Sequence, residues 1–265
     1  MAEDARTVAQ IIREWIRENN RWNAPLNIAG ESFGTTRAGA MTPYLQRGPE
    51  PLRVNKVILV SQALDYTGSS PWAYNLVAFV IFLPTQAATA WYHNKITNKP
   101  ESLDSYLNEV RAFATDEYLP ALYKGSSLLN AEFDRIAQKY TSYTGLDVDY
   151  VKRSNLRVLT TRFAKQLLRE EGLTLGRLDT RYLGEEIDDI TISARVDYSG
   201  TAIEAAYTSL FHDYLKNDLG VSLDRQYYFS GPEVNEHWVC KHCSRHGPKY
   251  GHKSCYEDII GLRLL

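Results

Sequence analysis

The sequence predicts an α/β protein with a mainly parallel sheet and a large helical insertion. Helix-period and strand-period segments alternate over residues 1–83, whereas helical stripes alone dominate 84–225. Hydrophobic residues at 44% and charged residues at 23% match globular averages, and 265 residues suffice for a sizeable core.

Val8, Ile11, Ile12, Trp15 and Ile16 fall on one stripe of a first helix, with Glu3 and Asp4 placed to favour its N-terminus. Asn19 to Pro25 breaks that helix. Leu26-Asn27-Ile28-Ala29 then forms a short strand running into Gly30. Ala38, Met41, Tyr44 and Leu45 recur at helical spacing until Gly48-Pro49. The second strand, Val54 to Val60, ends on the unbroken run Val57-Ile58-Leu59-Val60, the pattern of a parallel strand buried on both faces. The longest apolar run, Leu76 to Leu83, stops at Pro84 and is too short to span a bilayer. Beyond it, Leu103, Tyr106, Leu107, Val110 and Phe113 share one helical face; Phe133, Ile136, Ala137 and Tyr140 share another. Ile203, Ala206, Tyr207, Leu210, Phe211 and Tyr214 make a third. The expected division is a core portion over 1–83, a helical lid over 84–225 and a Cys/His-rich tail over 226–265.

Charge excludes some partners. Lys+Arg 30 against Asp+Glu 32 gives a net charge of −2, with no excess to condense onto nucleic acid or an anionic membrane. Met1 to Arg6 carries acids and no apolar h-region, so no signal peptide is read at this N-terminus, which makes the chain cytoplasmic as written.

The chemistry-bearing motif is Gly30-Glu31-Ser32-Phe33-Gly34, a G-x-S-x-G set directly after a strand and directly before a helix. A sharp strand-to-helix turn lifts the serine onto the tip, and flanking glycines relieve crowding there. The backbone N–H of Phe33, at the helix N-terminus, is the expected oxyanion donor.

Leu26 to Thr35 resembles the nucleophile segment of the serine carboxypeptidase family, whose usual form is Gly-Glu-Ser-Tyr-Gly. The similarity continues through Val57-Ile58-Leu59-Val60-Ser61-Gln62-Ala63-Leu64-Asp65 and through Leu83 to His93, and covers most of residues 1 to about 235. The resemblance implies an α/β-hydrolase fold with a helical insertion, no required cofactor, peptide substrates cut from the C-terminus, and an acyl-enzyme on Ser32. It implies that Glu31, beside Gly30 in the substrate-binding segment, recognises the substrate's C-terminal carboxylate, a role suited to a carboxyl kept neutral by burial or acid. Phe33 departs from the family's Tyr, which removes a hydroxyl but keeps the backbone donor. Family members are usually exported or lysosomal/vacuolar.

The family's catalytic Asp and His follow the helical insertion near the C-terminus, and no residue here takes either role by position. Asp65 is expected in a turn, His93 after an apolar-aromatic stretch and His212 on an amphipathic helix, and His237 lies outside any strand-turn pattern. The family's first strands, which supply a second oxyanion donor, are also missing, so the expectation is a chain incomplete at both ends. An open sheet edge is then expected to drive self-association. Two other readings stand beside the hydrolase: a non-catalytic relative that binds a peptide or partner, and an esterase or acyltransferase.

All three cysteines lie in the tail. Cys240-x2-Cys243, Cys255 and His246, with His242 and His252 close by, offer a Cys3His set suited to structural zinc. Only the first pair has a familiar spacing, and a tail without metal is the other reading.

Overall fold

The computed structural model describes residues 2–64, 75–222 and 227. The chain divides into two compact units, Met1–Tyr66 with Pro232–Leu265, and Thr67–Gly231. Both helix and strand are present, and among the described residues the one parallel sheet is small.

The first unit runs α1 (Ala2–Glu18), β1 (Leu26–Glu31), α2 (Phe33–Gln46) and β2 (Val54–Val60). β1 and β2 pair in parallel from Leu26↔Val54 to Glu31↔Val60, with a bulge between Leu26 and Asn27. Ala5, Ala9 and Ile16 of α1, Ile28 of β1, and Ala38, Met41 and Leu45 of α2 make its core with Leu52. The buried face of α1 is therefore rotated from the one expected: Ile11 and Trp15 are exposed, and the two alanines face inward. Small residues let helix α1 approach its neighbours closely, a preference that counting large apolar residues does not capture. Arg13 fastens the same helix by donating to the carbonyl oxygens of Tyr44, Leu45, Arg47 and Glu50.

β2 corrects a second expectation. Val57, Ile58, Leu59 and Val60 are between 40% and 50% exposed, not buried on both faces. Among the described residues the sheet has only two strands, so β2 has a neighbour on one side alone. A parallel sheet ordinarily has both faces covered.

The second unit is mostly helical. α3 (Leu76–Tyr92) continues straight through Pro84 and across the boundary expected at 83, placing Phe79 and Leu83 in the helical core. Burial of that face outweighs the roughly 3 kcal/mol cost of a proline inside a helix. Then come α4 (Leu103–Phe113), a π-helical turn at Ala114–Tyr118, α5 (Leu119–Lys124), α6 (Asn130–Thr144), α7 (Val148–Arg153) and α8 (Thr160–Gln166). The stripes read on α4 and α6 do face the core through Tyr106, Val110, Phe113, Ile136, Ala137 and Tyr140. A short antiparallel pair, β3 (Leu173–Leu175) and β4 (Leu183–Glu185), follows. α9 (Tyr198–Asp213), whose apolar stripe is instead exposed at Ile203, Tyr207 and Leu210, runs into a π-helical turn at Tyr214–Asp218.

Four tyrosines fill the helical core, each with its hydroxyl partnered. Tyr106 donates to the Tyr143 carbonyl at 2.8 Å, Tyr143 to Glu109 at 2.6 Å, Tyr118 to the Leu156 carbonyl and Tyr140 to Gln86. Burial pushes all four phenols up, Tyr106 to about 12.

Two predictions follow from this packing. A folded pKa above the unfolded value near 10 stabilises below pH 10, and that contribution is lost as pH rises through the folded value. Urea melts should therefore show the helical unit weakening steeply between pH 10 and about 12, with tyrosinate absorbance appearing only as it unfolds; titration of the folded protein near pH 10 would contradict this. The exposed strand β2 should make the chain self-associate, and Ile58→Lys should shift it toward monomer in sedimentation. A monodisperse wild-type monomer would count against that.

Candidate active site

Ser32 stands between β1 and α2. Its backbone N–H donates to the Val60 carbonyl at 3.0 Å, extending the parallel ladder one residue past the strand. The chain then reverses into helix α2 within that residue, at φ 52° and ψ −121°. Such a conformation costs a non-glycine residue roughly 1–3 kcal/mol and persists only where surroundings enforce it.

Those surroundings explain one of the two motif glycines. A Cβ on Gly30 would sit 2.1 Å from the Gly34 carbonyl oxygen and 2.8 Å from the Thr35 nitrogen, so strand and helix meet where only glycine fits. A Cβ on Gly34 would meet nothing within 4 Å. The sequence argument of crowding on both sides thus holds for Gly30 and not, among the described residues, for Gly34.

Two buried hydroxyls complete the turn. Thr35 Oγ1 donates to the Ser32 carbonyl at 2.7 Å and accepts from the Ala63 N–H at 2.7 Å. Thr36 Oγ1 donates to the Ala63 carbonyl at 2.6 Å. Both peptide groups of Ala63 are therefore held by adjacent threonines, which fixes the segment after β2 beside the serine. Sequence reasoning passed over this pair; the signal was Thr-Thr directly after G-x-S-x-G, where short hydroxyls bond backbone locally.

Ser32 is exposed, and its side chain makes no capping hydrogen bond to the helix it precedes. Phe33 opens α2, which places its peptide in the first turn, where N–H groups and the helix dipole favour negative charge. Arg37 lies 5.2 Å over the Phe33 ring and grips Asp4 of α1 through two hydrogen bonds of 2.8 Å. That grip raises the Arg37 pKa further, chiefly through the hydrogen bonds to Asp4. Glu31, the last residue of β1, is exposed. The burial expected around its carboxyl is therefore not found among the described residues.

No described residue hydrogen-bonds the Ser32 hydroxyl. Residues 2–64 contain no histidine. In the helical unit His93 Nε2 lies 2.8 Å from the Thr180 carbonyl oxygen, and His212 is exposed on α9. Asp65 and His237 lie outside the described residues, as do Cys240, Cys243, His246 and Cys255. Among the described residues no three His, Cys, Asp or Glu side chains are grouped to hold a metal ion, and no helix is long and apolar enough to cross a membrane.

Comparison of the chain with protein-family models, with curated proteins and with solved structures finds no match.

The glycine geometry makes a paired prediction. Gly30→Ala should cost at least about 3 kcal/mol in urea denaturation or prevent folding, because backbone rather than a flexible side chain blocks the methyl. Gly34→Ala should change stability by less than about 1 kcal/mol. Equal effects would overturn the close-approach explanation.

Proposed function

We propose that the chain is a serine carboxypeptidase-like hydrolase on an α/β-hydrolase core. The observation that supports this most is the backbone of Ser32, held at positive φ on the tip of a strand-to-helix turn with its side chain exposed. In the proposed reaction the Ser32 hydroxyl attacks the carbonyl carbon of the substrate's last peptide bond. Its proton passes through a general base to the leaving amine as the C–N bond breaks, and water then hydrolyses the acyl-enzyme. The Phe33 N–H at the start of α2 is the proposed donor to the developing oxyanion. Glu31, adjacent to the nucleophile, is proposed to meet the substrate's terminal carboxylate, in keeping with the Gly-Glu-Ser resemblance. An esterase or acyltransferase would use the same serine with a different acceptor.

A binding protein without catalysis is the second reading. It draws support from the absence, among the described residues, of a partner for the Ser32 hydroxyl.

Fluorophosphonate labelling followed by intact mass separates the two. At pH about 5 and about 7 a single adduct on Ser32 is expected, lost in Ser32→Ala, with peptide hydrolysis falling at least about 1,000-fold in that variant. A folded wild-type protein that takes no label would establish the binding reading instead.

A further inference from the structure

The other end of the sheet carries a feature that the hydrolase reading does not use. A cleft of about 230 Å3 lies where the chain leaves α1 and enters β1, lined also by the start of β2. Because β1 and β2 are parallel, this is the end opposite Ser32, six residues or about 20 Å along the strand. Ile16 and Leu52, both buried, supply its apolar lining, and the indole of Trp22 is a half-exposed wall. Arg21 and Arg53 line the same cleft, and no described acidic residue does.

Four other arginines of this unit are engaged, and exposed Arg47 lies outside the cleft. Arg6 lies over the Tyr44 ring, Arg13 is bound to four carbonyl oxygens, Arg17 pairs with Glu50 and Arg37 with Asp4. Among the described residues neither the Arg21 nor the Arg53 guanidinium has a hydrogen-bond or ion-pair partner. Two planar forks of donors at one cleft, unanswered by any described acid, match an oxyanion, which guanidinium binds bidentately. Asn55 fixes its own orientation by accepting the Leu26 N–H at 3.1 Å, which leaves its amide NH2 as a further neutral donor at the cleft.

We propose that this cleft binds a small organic phosphate, with the phosphate between Arg21 and Arg53 and a single ring or short apolar group against Trp22, Ile16 and Leu52. The volume is below the roughly 300–1,000 Å3 of pockets for drug-sized ligands, so the ligand is small. The site is independent of Ser32 and does not rest on the hydrolase reading.

The test is an NMR titration of the full chain at constant ionic strength with phenyl phosphate and with inorganic phosphate. Saturable shifts are expected for residues 16–26 and 52–55, with phenyl phosphate binding at least about fivefold tighter through the aromatic contact. Arg21→Gln or Arg53→Gln should each weaken binding about tenfold, and Trp22→Leu should remove the advantage of the phenyl group alone. Arg47→Gln, an exposed arginine outside the cleft, should leave both affinities unchanged. Absence of saturation, retention of affinity in the Arg21→Gln/Arg53→Gln double variant, or an equal loss in Arg47→Gln would each overturn the proposal.

Discussion

The close approach of Gly30 to Gly34 is the constraint on which the first unit turns. A chain that leaves a parallel strand and enters a helix within one residue brings the strand's penultimate backbone against the helix's first turn. The 2.1 Å that would separate a Gly30 Cβ from the Gly34 carbonyl measures how tight that junction is. Everything local follows from it. Ser32 must take up the reversal at positive φ, Thr35 and Thr36 hold the turn to Ala63, and Arg37 on the next turn of α2 reaches Asp4 to fix α1. An isolated strained residue would relax; this one is surrounded by a ladder bond, two buried hydroxyls and a bidentate ion pair. None of these contacts engages the Ser32 hydroxyl, which no described residue hydrogen-bonds.

The helical unit solves a different problem, how to bury polar groups. Its tyrosines place aromatic area in the core and carry each hydroxyl to a carbonyl, an amide or a carboxylate. Lys165 and Glu186 go further: their side chains are 1% and 4% exposed and lie 2.9 Å apart. Glu186 also accepts from the Arg195 N–H and the Thr191 hydroxyl, and Lys165 donates to the Asp188 carbonyl, so the pair ties the segment after β4 to α8. Although burial alone would raise the carboxyl, the ammonium and these hydrogen bonds hold Glu186 below its ordinary value. Such a pair adds little net stability against apolar residues of equal volume, but losing one member leaves a buried charge. Its effect is to specify one path for an otherwise polar loop.

What the sequence made legible follows from periodicity. β2 and its parallel pairing with β1, the helix between them and the inward faces of α4 and α6 were readable because apolar spacing reports which side is covered. Burial was less readable, because spacing says that a face is apolar and not that something lies on it. β2 and α9 both carry apolar runs that stand exposed at Val57–Val60 and at Ile203, Tyr207 and Leu210. α1 erred in the other direction, since Ala5 and Ala9 carry less apolar weight than Ile11 and Trp15 and yet face the core. β3 and β4, three residues each, are too short to show a period. At the site, Ser32 and its conformation were legible from the motif. Thr35 and Thr36 were not, because their importance lies in bonds to Ala63, 27 and 28 residues away.

Strand polarity then gives the two ends of this small sheet different chemistry. In a parallel pair every strand delivers its following loop to the same edge, so the turn at Ser32 and the segment held at Ala63 meet at the C-terminal end. The opposite edge receives the chain entering both strands and gathers Arg21 and Arg53. Residues 2–64 contain no histidine, so neither edge of this sheet carries an imidazole from the first unit's described residues. Of the six histidines in the chain, His93 is already turned to the Thr180 carbonyl and four others follow residue 222.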